Sequence, residues 1–216
     1  WGNKSKALAE WCREKDWGFC CYDVRGFGES EGTFTDYTLS DWIADARLVT
    51  GLLREGPPLT IVGNSLGGWI AWLMAREFEL VEQLILIAPA FNMMGVRAES
   101  IDPKRRHAWH RAGWMPWDDE PAHRDFPLTW KWVEESEALW NTSFDRLRPV
   151  STAILHGQQD SVILPQGSSQ FVEQLLSLAP SFPIELHLVP GDHRLSSSEH
   201  LDTFRRLVLD TRERRD

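Results

Sequence analysis

"TIVGNSLGGW", residues 60–69, decides how this chain is to be read. An apolar run stops, a serine stands between glycines, and an apolar helix-like pattern begins. Gly63-Asn64-Ser65-Leu66-Gly67 fits G-x-S-x-G, a pattern that composition alone yields about once in fifteen chains of this length. The neighbourhood makes it specific. A strand before and a helix after form the setting in which a tight turn carries a serine with its hydroxyl exposed. Such a turn strains the serine backbone, and side chains two residues away on either side would collide. Glycine at 63 and 67 lets Ser65 project from the sheet edge, and the helix N-terminus behind it favours a developing negative charge. The competing reading, a serine that merely caps a helix, is weighed by whether Ser65 has partners.

Outward from this stretch, strands and helices alternate. Residues 5–15 ("SKALAEWCREK") predict a helix with Leu8, Trp11 and Cys12 on one face. "GFCCYDV" reads as a strand and "RGFGESEG" as a glycine-rich loop. Residues 38–55 predict a helix opened by a Thr38–Asp41 capping box and stopped by "GPP". "PLTIVG", "EQLILIAP", "STAILHG" and "PIELHLVP" read as strands, with helices at 66–77, around "SQFVEQLLSL", and at the C-terminal end. This order implies an α/β fold: a mostly parallel sheet with helices on both faces. Residues 91–149 interrupt it with no convincing strand and hold six of the 12 tryptophans. Within one domain spanning residues 1–216, that segment is expected to form a largely helical cap or lid over the Ser65 site.

A serine hydroxyl needs a base, and the base needs an acid to orient it. "HGQQD" places Asp160 just beyond one strand, and "VPGDHRL" places His193 just beyond another. Ser65, Asp160 and His193 thus each follow the C-terminal end of a strand, and in a parallel sheet those ends gather at one edge, where ligands bind. The competitors are weaker. Asp192 reads as a loop-turning residue, and His156 as a structural hydrogen-bonding group in its His-Gly pair. His187 lies inside a strand beside Glu185, and His200 reads as a solvated helix-start residue. His107, His110 and His123 lack a spacing that demands a metal. Cys20 and Cys21 have no evident base.

Composition narrows the partners. Hydrophobic residues make up 42% and charged residues 25% of the 216 residues, ordinary values for a globular protein. A formal charge of −9 disfavours nucleic acid and anionic membrane surfaces. No apolar run approaches the roughly 20 residues of a membrane span. Three cysteines, an odd number with two adjacent, read as buried reduced thiols, which implies a reducing, cytoplasmic compartment.

On these residues the chain resembles the α/β-hydrolases. "YDVRGFGES" resembles the family's D-x-R-G-x-G-x-S stretch, covering Asp23, Arg25, Gly26, Gly28 and Ser30, a segment that is structural in the family. "HGQQD" resembles H-G-x-x-D. "KALAEWCREK" and "GDHRL" are most similar to the small esterase and palmitoyl-thioesterase-like branch. The resemblance implies acyl transfer to water from a small-molecule acyl ester or thioester. His193 would take the proton of Ser65, Asp160 would orient His193, and the Leu66 N–H would stabilise the oxyanion, with no cofactor and no metal. Peptidases, carbon–carbon bond hydrolases, perhydrolases and non-catalytic binders share the fold, whereas a serine at 65 argues against the aspartate-bearing dehalogenases and epoxide hydrolases. The family also carries strands and a His-Gly loop, source of a second oxyanion donor, ahead of the helix that opens here. The sequence therefore leads one to expect the natural protein to extend upstream of Trp1.

Overall fold

The structure is a computed structural model that describes residues 2–117 and 127–213. His123, and residues 118–126 of the expected cap, lie outside the described residues. In chain order the elements are α1 (Asn3–Glu14), a 3-10 turn (Phe34–Asp36), α2 (Leu39–Leu52), β1 (Leu59–Asn64), α3 (Leu66–Glu77), β2 (Val81–Ile87), α4 (Met93–Ser100), α5 (Pro103–Ala112), β3 (Trp114–Pro116), β4 (Pro127–Thr129), α6 (Trp130–Asn141), β5 (Ser151–Gly157), α7 (Pro165–Leu178), β6 (Ile184–Val189) and α8 (Ser198–Glu213). They fall into two compact units. One comprises Trp1–Tyr22, Gly56–Phe91 and Leu147–Asp216, and the other Asp23–Glu55 and Asn92–Arg146.

The first unit is built on a parallel sheet in the order β1-β2-β5-β6. Its central strands β2 and β5 are buried along nearly their whole length, as expected of a parallel sheet covered on both faces. Ile85, Ile87, Ala153 and Leu155 meet Phe204, Leu207 and Val208 of α8 and Trp11 of α1 on one face. α3 and α7 cover the other, where Trp72 packs edge-on against Phe171 at 5.0 Å and Phe91 stacks on Phe171 at 4.0 Å. Each fully buried side chain of this size contributes about 1.5–3 kcal/mol. Register then fixes the functional edge. Asn64 pairs with Ile87, Ile87 with Leu155, and Gly157 with Val189, so the C-terminal ends of all four strands line up.

Two sequence expectations need correction here. "GFCCYDV" forms no strand among the described residues. A strand exists only through a ladder, and among the described residues this apolar run joins neither the four-stranded sheet nor the two-stranded one. Its cysteines are accordingly not buried: Cys20 is exposed and Cys21 half-buried, while Cys12 is buried in α1, and none of the three is in a disulfide.

The second unit is held by aromatic packing. Phe34 meets Trp132 edge-on at 4.8 Å, and Trp42 meets the same indole at 5.3 Å. The Thr38–Asp41 capping box starts α2 as the sequence requires. Arg25 of the glycine-rich loop pairs with Asp45 at 2.7 Å, and a Cβ at Gly28 would stand 2.1 Å from the Asp23 carboxylate. The third correction falls here: β3 and β4 form a small antiparallel ladder, with Met115 opposite Leu128 and both buried. Three-residue strands flanked by proline carry no periodicity that a sequence reading detects.

Candidate active site

Ser65 follows β1 directly and caps α3 with φ 53° and ψ −123°, a left-side backbone conformation unusual for a residue with a Cβ. The turn is bolted to the next strand. Ser65 N–H donates to the Ile87 carbonyl at 2.8 Å, and the Ser65 carbonyl accepts from Gly68 N–H and Ala90 N–H at 2.9 and 3.0 Å. Its steric demands are not those the sequence suggests. A Cβ at Gly63 would lie 2.3 Å from the Gly67 carbonyl oxygen, so glycine is required there. A Cβ at Gly67 would meet nothing within 4 Å; the second constrained glycine is Gly68, packed against Pro89. Leu66 opens α3, so its N–H belongs to the first-turn donors that have no partner inside the helix.

Asp160 stands three residues beyond β5 and is fully buried. Its Oδ1 accepts from the backbone N–H groups of Val162 and Ile163 at 2.9 and 2.8 Å. Its Oδ2 lies 2.7 Å from Nδ1 of His193, which stands four residues beyond β6. The carboxylate only accepts, so Nδ1 carries the proton and Nε2 presents its lone pair to Ser65 Oγ, 3.2 Å away. The structure thus brings Ser65, His193 and Asp160 together at one sheet edge. Asp192 turns away, its Oδ1 accepting from Arg194 N–H and Leu195 N–H at 3.0 and 3.2 Å.

Several side chains that hold this edge escape a sequence reading. Gln159 donates its backbone N–H to Gly191 at 2.9 Å, and its side-chain oxygen accepts from Gly191 N–H, which ties the Asp160 loop to the His193 loop. His200 is half-buried rather than solvated: Nε2 donates to the Pro190 carbonyl at 2.7 Å, and Nδ1 lies 2.8 Å from Ser197 Oγ. Lys4 of α1 donates to the Arg194 carbonyl; burial lowers its pKa, with Asp192 pulling the other way. Loop-to-loop contacts of this kind follow no period along the chain.

His187 pairs with Glu185 on the surface at 3.2 Å. His107 and His110 line a shallow cavity of about 280 Å³ within the second unit, together with Glu99, Arg106 and Trp130. Among the described residues, no three His, Cys, Asp or Glu side chains gather as a metal cluster. No helix among them is long and apolar enough to cross a membrane.

Comparison with known proteins agrees with this architecture. The mouse (Mus musculus) palmitoyl-protein thioesterase ABHD10, mitochondrial, is 28% identical over 199 residues, covering 90% of this chain and 65% of that protein. The human (Homo sapiens) protein of the same name is 26% identical over 201 residues, covering 90% and 63%. The chain therefore spans somewhat under two thirds of the length of these curated relatives. The solved structure of alpha/beta hydrolase domain-containing protein 10 from mouse superposes with a TM-score of 0.86 at 23% identity, covering 100% of this chain and 85% of that one, a likeness of fold. The profile of the alpha/beta hydrolase family matches residues 9–208, and the chain belongs to that family.

Proposed function

We propose that this protein is a serine hydrolase that cleaves carboxylic esters or thioesters through an acyl-enzyme on Ser65. The observation that carries the reading is the hydrogen-bonded line from Ser65 Oγ to His193 Nε2, 3.2 Å, and from His193 Nδ1 to Asp160 Oδ2, 2.7 Å. As Ser65 Oγ attacks the acyl carbonyl, its proton passes to His193 Nε2. The buried Asp160 carboxylate stabilises the imidazolium, and the Leu66 N–H meets the oxyanion. The tetrahedral adduct collapses, and His193 returns the proton to the departing alcohol or thiol. Water then attacks the acyl-enzyme with His193 as base, which releases the acid and restores Ser65. The thioesterase name of the curated relatives brings thioesters forward as substrates. Three cysteines, none of them in a disulfide, support a reducing compartment, cytoplasmic or mitochondrial.

A fluorophosphonate probe on the natural full-length protein tests this. Labelling is expected at Ser65 and should vanish in Ser65→Ala, with kcat falling at least about 10³-fold. His193→Ala should match that loss, and Asp160→Asn should lose less. Acetyl, butyryl and octanoyl esters and thioesters then define the substrate. If the tryptophan-rich segment serves acyl recognition, kcat/KM rises with chain length at up to about 0.8 kcal/mol per methylene. Labelling at another residue, or turnover retained in Ser65→Ala, overturns the proposal.

A further inference from the structure

The aspartate of this site serves two histidines. Asp160 Oδ2 lies 2.7 Å from His193 Nδ1 and 3.1 Å from His156 Nε2, and His156 Nδ1 lies 2.8 Å from Ser168 Oγ on α7. Ser168, His156 and Asp160 thus form a second serine–histidine–aspartate array that shares its acid with the first. Access separates the two. The His193 side chain is 19% exposed, whereas His156 and Ser168 are 0% exposed. A sealed serine meets no substrate, so the second array must serve another purpose.

Proton placement says which. His156 Nε2 faces the Asp160 carboxylate and, at 2.9 Å, the Ile163 carbonyl, both of which only accept. Nε2 therefore carries the proton and shares it between them, while Nδ1 offers a lone pair to the Ser168 hydroxyl. Asp160 consequently receives four donors: Val162 and Ile163 N–H on Oδ1, and His156 and His193 on Oδ2. A buried carboxylate needs such saturation. The two backbone donors pin only Oδ1. Oδ2 is the atom that His193 uses, and among the described residues His156 is the other side chain that donates to it.

We propose that His156 is a positioning residue for the Ser65 site. Its Nε2–H holds Asp160 Oδ2 on the line of His193 Nδ1, and Ser168 holds His156 in the tautomer that donates there. This rests on reading Asp160 as the acid of the site. Preorganisation of that acid is what the sealed array supplies: the group that steadies the imidazolium is fixed before any proton moves.

The test uses ester hydrolysis by the full-length protein with His156→Leu, His156→Gln, Asp160→Asn and the double variant Asp160→Asn/His156→Leu. His156→Leu is expected to lower kcat about 10- to 100-fold, the scale seen for partners that orient the ligands of other sites, with KM unchanged. His156→Gln keeps an amide donor and should recover much of that loss. The double variant should be no slower than Asp160→Asn alone, because His156 acts through Asp160. A wild-type kcat in His156→Leu, or losses that multiply in the double variant as a general packing defect would, overturns the proposal. Full activity in Asp160→Asn overturns the assignment of the acid as well, and is seen separately. Should His156→Leu fail to fold, Ser168→Ala decides: a lowered kcat with unchanged KM and thermal midpoint supports the proposal, and an unchanged kcat overturns it.

Discussion

A Cβ at Gly63 would stand 2.3 Å from a backbone oxygen, whereas one at Gly67 points into open space. The two glycines are equivalent in G-x-S-x-G and unequal in the turn, which yields a sharp prediction. Gly67→Ala should fold, stay active and gain up to about 1 kcal/mol from helix propensity in α3. Gly63→Ala must displace the turn, and a shift of Ser65 by about 1 Å should lower kcat/KM on the order of 10²-fold. Kinetics and thermal melts of both variants check this; a dead Gly67→Ala or a fully active Gly63→Ala refutes it. At this scale Ser65, Asp160 and His193 were legible because each follows an apolar run by one to four residues. Gln159 and His200 were not, and the bond that the sequence foresaw for His156 had no partner until the fold supplied Asp160. Those contacts join neighbouring loops, whose approach is set by strand register and leaves no trace along one segment.

Helices and long strands were the most readable elements, since 3.6- and two-residue periods or continuous apolar runs mark them. α3 spans Leu66–Glu77 as the pattern requires, and α1 begins two residues before the expected start. "GFCCYDV" misleads because apolar residues permit a strand but only a neighbouring backbone makes one. The end of α3 depends on a residue far away in sequence. Arg148, before β5, donates from Nε and Nη2 to the Ala75 carbonyl at 3.1 and 2.7 Å, and from Nη2 to the carbonyls of Phe78, at 3.0 Å, and Val81. Burial lowers its pKa while Glu79 and Glu82 act to raise it. Arg148→Met should destabilise the first unit by about 1–3 kcal/mol by stranding these acceptors. Arg148→Lys should restore only part, because an ammonium lacks the planar fork. Urea melts of the three proteins measure it, and a Met variant as stable as the wild type disproves the role.

Across the whole molecule the chain interleaves two units, and that was least visible beforehand. The sequence marks 91–149 as one excursion, whereas residues 92–146 pack with 23–55 in a single compact unit. The join is made by rings such as Phe34 and Trp132, nearly a hundred residues apart, which no window along the chain brings together. The same interleaving separates the parts of the site. Asp160 and His193 are 33 residues apart on β5, α7 and β6, one β-α-β unit whose loops are tied through Gln159. Ser65 is 128 residues from His193, and β2 lies between its strand and theirs. The histidine–aspartate bond is therefore a local property, whereas the serine–histidine bond depends on all four strands keeping register. Under rising urea the long-range bond should fail first. Hydrolysis and fluorophosphonate labelling should disappear at a lower urea concentration than the loss of helical circular dichroism. Coincident midpoints would mean that Ser65 is held as locally as its partners; separated ones make activity a more sensitive gauge of the sheet than any spectroscopic signal.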